Sequence, residues 1–176
     1  MNLLYPLDTF YRKWGLALPE VEALDGEVVP EPYNRLLVHS HDMTPTLEAF
    51  HRSPIELRLI QRHLEGDLYS RLVDLSIVGH DSPVEFGCIA INLQHFPAAA
   101  RDVILDGHVP LGTILARHDI QHQSCPQAYV RVTADPFMSD ALYLTGSPAL
   151  YGRRNVLYAP DRRVLAEVLE ILPPVG

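Results

Sequence analysis

The sequence predicts an α+β domain, an antiparallel β-sheet with helices packed on one face. Three observations lead there. Between residues 55 and 93, three segments alternate apolar and polar side chains and are joined by short turn signals, the pattern of an antiparallel meander. Two segments with helical spacing come next, before residue 118. The apolar segments 154–158 and 164–172 then flank a turn and read as a hairpin. The resulting order, βββ-αα-β-ββ, groups strands with strands instead of alternating them with helices.

Taken in order, residues 1–35 read as an N-terminal extension, partly helical, ahead of a domain spanning 36–176. Leu7 to Leu18 has helical spacing, with Phe10, Trp14 and Leu18 on one stripe. Pro19, Pro30 and Pro32 break any long element after it. Thr44 to His51 reads as a short helix, with Thr44 as its cap, Pro45 in the first helical position and Glu48 in the first turn. Pro54 opens the first meander strand. Glu65-Gly66-Asp67 turns it into Tyr69–Val78, and Gly79 to Pro83 turns that into Val84–Leu93. Pro97 to Leu105 and Pro110 to Arg117 are the two helices. Gln127 to Thr133 is a further strand, and 134–150, with Pro136, Gly146 and Pro148, reads as irregular.

The totals exclude several classes of protein. Composition is that of an ordinary globular chain, 47% hydrophobic and 20% charged, with a net charge of −8. A general nucleic-acid binder would be basic, so no nucleic-acid partner is expected. No apolar run approaches the roughly 20 residues of a membrane helix, and the N-terminus lacks the basic start of a signal peptide. Cys88 and Cys125 form no Cys-x-x-Cys motif or disulfide framework, so a reduced, cytoplasmic protein is expected, as a monomer or small homo-oligomer. His39-x-His41 and His118-x3-His122 have spacings a metal site can use, but neither cysteine nor acid completes a set, so no metal is expected. There is no Gly-x-Ser-x-Gly elbow and no phosphate-binding glycine loop.

The functional signal lies in two charged residues among apolar ones. On a strand, alternate residues share a face. Arg71 therefore shares its face with Val73, Leu75 and Ile77, and Glu167 shares one with Leu165, Leu169 and Ile171. A charge on the core side of a strand is costly unless it is paired or used on a ligand. The two residues are expected to enter one enclosed pocket. The competing readings are an Arg71 whose stem packs while its head stays wet, and a Glu167 on a solvated face.

Four stretches carry a resemblance: HDMTPTLEAF, RLVDLSIVGHDSPVEFGCIAINL, FPAAARDVILDGHVPLGTIL and LYGRRNVLYAPDRRVLAEVLEILPP. From about Leu36 to Pro174 the chain resembles the chorismate lyase-like (chorismate pyruvate-lyase) family. The most specific pieces are the arginine strand, Pro110-Leu111-Gly112, and Leu150 to Arg154 followed by the acidic strand. The resemblance implies a cofactor-free carbon–oxygen lyase that eliminates pyruvate from chorismate, or a close enolpyruvyl relative, to leave 4-hydroxybenzoate. It maps the carboxylate-binding arginine onto Arg71, the glutamate facing the ring hydroxyl or ether oxygen onto Glu167, and backbone contacts onto Met43, Leu111 and Gly112. The ligand it implies is a small aromatic or enolpyruvyl carboxylate. The chain departs from the family pattern in the longer interval from Arg71 to Gly79 and in a second acid, Glu170, on the last strand. Glu167 is preferred over Glu170 for its Leu-Ala-Glu context. Arg153 is a weaker ligand-contact candidate, since an arginine pair after a glycine is commonly a solvated turn.

Two other functions fit the same residues. One is an enzyme of this fold acting on a different small carboxylate. The other is a small-molecule-binding, effector-sensing module without catalysis, since the fold also resembles effector domains of some transcription regulators. Residues 1–35 are too short and too acidic for a helix-turn-helix, which favours the enzyme.

Overall fold

Strong alternation of apolar and polar residues from Ile55 onward produces a seven-stranded, wholly antiparallel sheet. The computed structural model describes residues 1–175. Its elements are α1 (Leu7–Trp14), β1 (Val21–Leu24), α2 (Tyr33–Leu37), α3 (Met43–His51), β2 (Ile55–Glu65), β3 (Leu68–Ile77), β4 (Pro83–Asn92), α4 (Ala98–Asp106), α5 (Leu111–Arg117), β5 (Gln123–Thr133), α6 (Pro136–Ala141), β6 (Ala149–Tyr158) and β7 (Val164–Leu172). The strand order is β1-β5-β6-β7-β4-β3-β2. Two meanders, β2-β3-β4 and β5-β6-β7, are thus joined at the centre by β4 and β7.

The α+β class with its antiparallel sheet is as expected. Helices α2 to α5 lie over one face, which carries Val73, Leu75, Ile89, Val168 and Leu157. The other face, with Leu72, Phe86, Leu169 and Ile171, is also covered, by α1 and α6. Leu7, Phe10 and Tyr11 of α1 are buried there. The division at residue 35 is therefore not a boundary in the structure. Beyond α1, strand β1 pairs with β5, Val21 opposite Val132, so residues before 35 also belong to the sheet.

Strand β5 begins at Gln123 instead of Gln127, and four other boundaries differ from the sequence expectation, each for a local reason. Helix α1 stops at Trp14 because Gly15 takes a left-handed conformation (φ 67°) and closes the end, so Leu18 lies outside it. Helix α3 begins at Met43, with Asp42 instead of Thr44 at its head. Residues 134–150 hold α6, whose first turn is fixed by the Asp135 carboxylate accepting from Met138 N at 2.8 Å. Strand β6 begins at Ala149, so Arg153 and Arg154 lie inside a central strand and not in a turn.

Candidate functional site

On β3, Arg71, Val73 and Leu75 point to the α3–α5 side, and the register carries that face across the sheet. Arg71 is opposite Ile89, Val73 opposite Gly87 and Leu75 opposite Glu85. Gly87 is opposite Glu170, which is opposite Arg153, and Val168 is opposite Asn155. A cavity lies between this face and the starts of α3 and α5. Arg71, Glu85, Asn155 and Glu170 line it from the sheet, and Asp42, Met43, Thr44, Leu111 and Gly112 from the helices. Its free space for the centres of water-sized molecules is about 70 Å³. That is well above the roughly 10–15 Å³ needed to hold one water.

Arg71 is 1% exposed. Its Nη2 donates to Val109 O at 2.8 Å, which ties it to the segment leading into α5. Nε and Nη1 have no partner. Burial pulls this guanidinium below its ordinary pKa, and the neighbouring Tyr69 opposes that shift. A buried cation with two unpartnered nitrogens is costly in isolation and complementary to a carboxylate. The starts of α3 and α5 approach each other at Gly112, where an added Cβ would lie 3.4 Å from Thr44 Oγ1, an ordinary contact.

Arg153 is completely buried. Its Nε donates to Glu170 Oε2 at 2.5 Å, Nη1 to His39 O at 2.9 Å and Nη2 to His41 O at 2.8 Å. Burial works to lower its pKa, but the Glu170 carboxylate outweighs it and the value is raised. Arg153 therefore holds the 37–41 segment, just ahead of α3, to the cavity-lining acid. It is not a solvated turn residue, and it does not itself line the cavity. At the cavity rim Asp42 Oδ2 and His122 Nε2 lie 2.7 Å apart, and Ile120 O is 2.9 Å from His122 Nδ1. The bond to Asp42 raises the His122 pKa.

The structure brings Arg71, Met43, Leu111, Gly112 and Glu170 to one cavity. It does not bring Glu167 there, which corrects the expectation that Arg71 and Glu167 share a pocket. Glu167 does share a face with Leu169 and Ile171, but that face lies under α1. Glu167 Oε1 accepts from Arg154 Nη2 at 3.2 Å, and Arg154 also donates to Asn2 O at 3.3 Å and lies over the Tyr5 ring. The bulkier apolar set on β7 packs against a helix, and the cavity opens on the smaller set.

Sequence reasoning also passed over Glu85. It is 4% exposed and lines the cavity, and its Oε2 has no partner. Burial raises its pKa well above the ordinary carboxylate range, the charge of Glu170 adds to this, and Arg153 opposes it. The alternation argument applied to Arg71 would have found it, because Glu85 shares its face with Gly87, Ile89 and Ile91 in PVEFGCIAIN. Asn155 was also missed. Its Nδ2 donates to Ser124 Oγ at 2.8 Å while Oδ1 is unpartnered. Among the described residues, no three His, Cys, Asp or Glu side chains converge as a metal site.

No protein-family model and no curated protein sequence matches the chain. Solved structures do match in fold. The effector domain of PhnF from Mycobacterium smegmatis aligns with TM-score 0.57 and 12% identity, over 74% of this chain and 87% of that one. Whole PhnF aligns with TM-score 0.58 and 12% identity, over 78% of this chain and 66% of that one. A GntR-family transcriptional regulator from Bacillus cereus gives TM-score 0.51 and 15% identity, over 68% and 92%. The chain has the α+β fold of these regulator domains, which is compatible with a chorismate lyase-like fold. The matched structures are regulator domains and not lyases, which overturns the expected chorismate pyruvate-lyase activity and, with it, the chorismate and pyruvate assignments. Among the described residues, no helix is long and apolar enough to cross a membrane.

Proposed function

We propose that this chain is a small-molecule-binding, effector-sensing domain without catalytic activity, whose ligand is a small carboxylate held by Arg71. The observation that carries the reading is Arg71, 1% exposed, with two unpartnered guanidinium nitrogens on the wall of a cavity. A carboxylate would supply a missing acceptor in a charge-assisted hydrogen bond. The starts of α3 and α5, where Met43, Leu111 and Gly112 line the cavity, would close over its carbon skeleton. The effector-domain description of the matched PhnF structure supports this reading. The net charge of −8 supports a domain that does not itself touch nucleic acid. Free Cys88 and Cys125 suit a cytoplasmic setting.

The test is calorimetric titration of the protein with small alkanoates and benzoates, repeated with Arg71→Ala. Truncating a desolvated charged contact costs roughly 2–5 kcal/mol, so binding should fall by at least about thirtyfold. Equal affinity for the variant, or no carboxylate binding by the wild type, would sink the proposal.

A further inference from the structure

The charges around the cavity do not cancel uniformly. Glu170 is taken by Arg153, and Asp42 by His122. Two residues of opposite sign are left over, Arg71 and Glu85. Neither pairs with the other. Arg71 makes its only hydrogen bond to Val109 O, and Glu85 Oε2 has no partner. Both are buried on the same face of adjacent strands, and Glu85 is opposite Leu75, four residues along β3 from Arg71. That offset is about 13 Å between backbone positions along the strand, and the two side chains, reaching into one cavity, form no ion pair with each other. The Glu85 carboxyl leans over Gly87, where a Cβ would stand 3.0 Å from Oε1. The missing side chain at Gly87 keeps that stretch of cavity floor open beside the acid.

We infer that Glu85 is a specificity-determining residue, and that it selects ligands carrying a cationic nitrogen at the end opposite their carboxylate. This deepens the reading of the cavity as a carboxylate site and rests on it. A carboxylate at Arg71 and an ammonium at Glu85 would satisfy both leftover groups at once. A simple carboxylate would satisfy one and leave Glu85 buried without a partner. The charged groups around Glu85 are Glu170 and Arg153, and their mutual pairing leaves Glu85 as the acid free to respond. Burial raises the Glu85 pKa well above the ordinary carboxylate range, and an arriving ammonium would draw it back down, so Glu85 would release protons to the solvent on binding. No covalent change is involved: the ligand keeps its own proton and Glu85 releases one.

The test uses two matched pairs of probes: 5-aminopentanoate with pentanoate, and 4-(aminomethyl)benzoate with 4-methylbenzoate. Each is titrated into wild type and Glu85→Gln, which is close to isosteric. At least one aminated probe should bind the wild type more tightly than its partner. Glu85→Gln should weaken that probe by about tenfold or more, the range for a hydrogen bond to a charged group, and leave its unaminated partner within about threefold, an effect smaller than a typical hydrogen bond. Titration of the wild type in buffers of different ionisation enthalpy should show proton release with the aminated probe and none with its partner. This second readout does not depend on the variant folding. If the unaminated acids bind in an Arg71-dependent way and amination brings no gain and no proton release, the inference about Glu85 is overturned while the carboxylate site stands. If no probe of either kind binds the wild type, both are overturned.

Discussion

Arg153 shows how much one buried side chain can carry. It donates to the Glu170 carboxylate and to two carbonyls of the segment ahead of α3. Removing it would leave a buried carboxylate and two carbonyls without partners. Breaking one side of a buried pair costs about 3–5 kcal/mol, so Arg153→Ala should lower the urea-unfolding free energy by that much. An unchanged midpoint would mean that Glu170 finds water instead. His122 makes the complementary case at the cavity rim. Its folded pKa is raised, chiefly by Asp42. Its contribution to stability is therefore complete below the unfolded value of about 6.5 and is lost as the pH rises through the higher folded value. The melting-temperature advantage of wild type over His122→Gln should be largest near pH 5 and shrink toward pH 8. A constant difference over that range would show that the charge on His122 contributes nothing.

Among the elements, α1 is the one whose role differs most from what its sequence suggests. Its stripe of Phe10 and Trp14 is legible as an amphipathic helix, but nothing in a local pattern says which surface it meets. The surface is the second face of the sheet, where Phe10 is 2% exposed and Trp14 lies 5.7 Å from it, ring to ring. Phe10→Ala should cost about 3–5 kcal/mol, as for a core aromatic. A loss under about 1 kcal/mol, the scale of a surface change, would return residues 1–35 to the status of an appendage. The strands β2, β3 and β4 are legible because alternation and short turns fix both their type and their pairing. The face of β7 that holds the cavity is not legible, because both of its faces are apolar and both are covered. Glu85 illustrates the same limit from the other side. Glu85 stands in a pattern as clear as that of Arg71, yet Glu85, Glu170 and Arg153 become neighbours only through the β4–β7 and β6–β7 registers, which no single segment contains.

At the scale of the whole molecule, the resemblance to a lyase family and the effector-domain matches differ on function while agreeing on architecture. Fold and site are separable in this way because a sheet with an arginine, two acids and two helix starts can hold an acid without transforming it. The same architecture has a consequence for how the chain is made. The sheet's central seam joins β4 to β7, with Ile89 opposite Val168, so the middle of the sheet is completed by its last strand in the sequence. Until residue 172 has left the ribosome, β4 has no partner on its inner side, and neither β5 nor β6 can bridge to it. The growing chain therefore carries a first meander with an open apolar edge through the synthesis of its second half. Closing contacts of such large sequence separation is slow, so the two meanders should reach the native sheet together, once β7 is free to pair with β4.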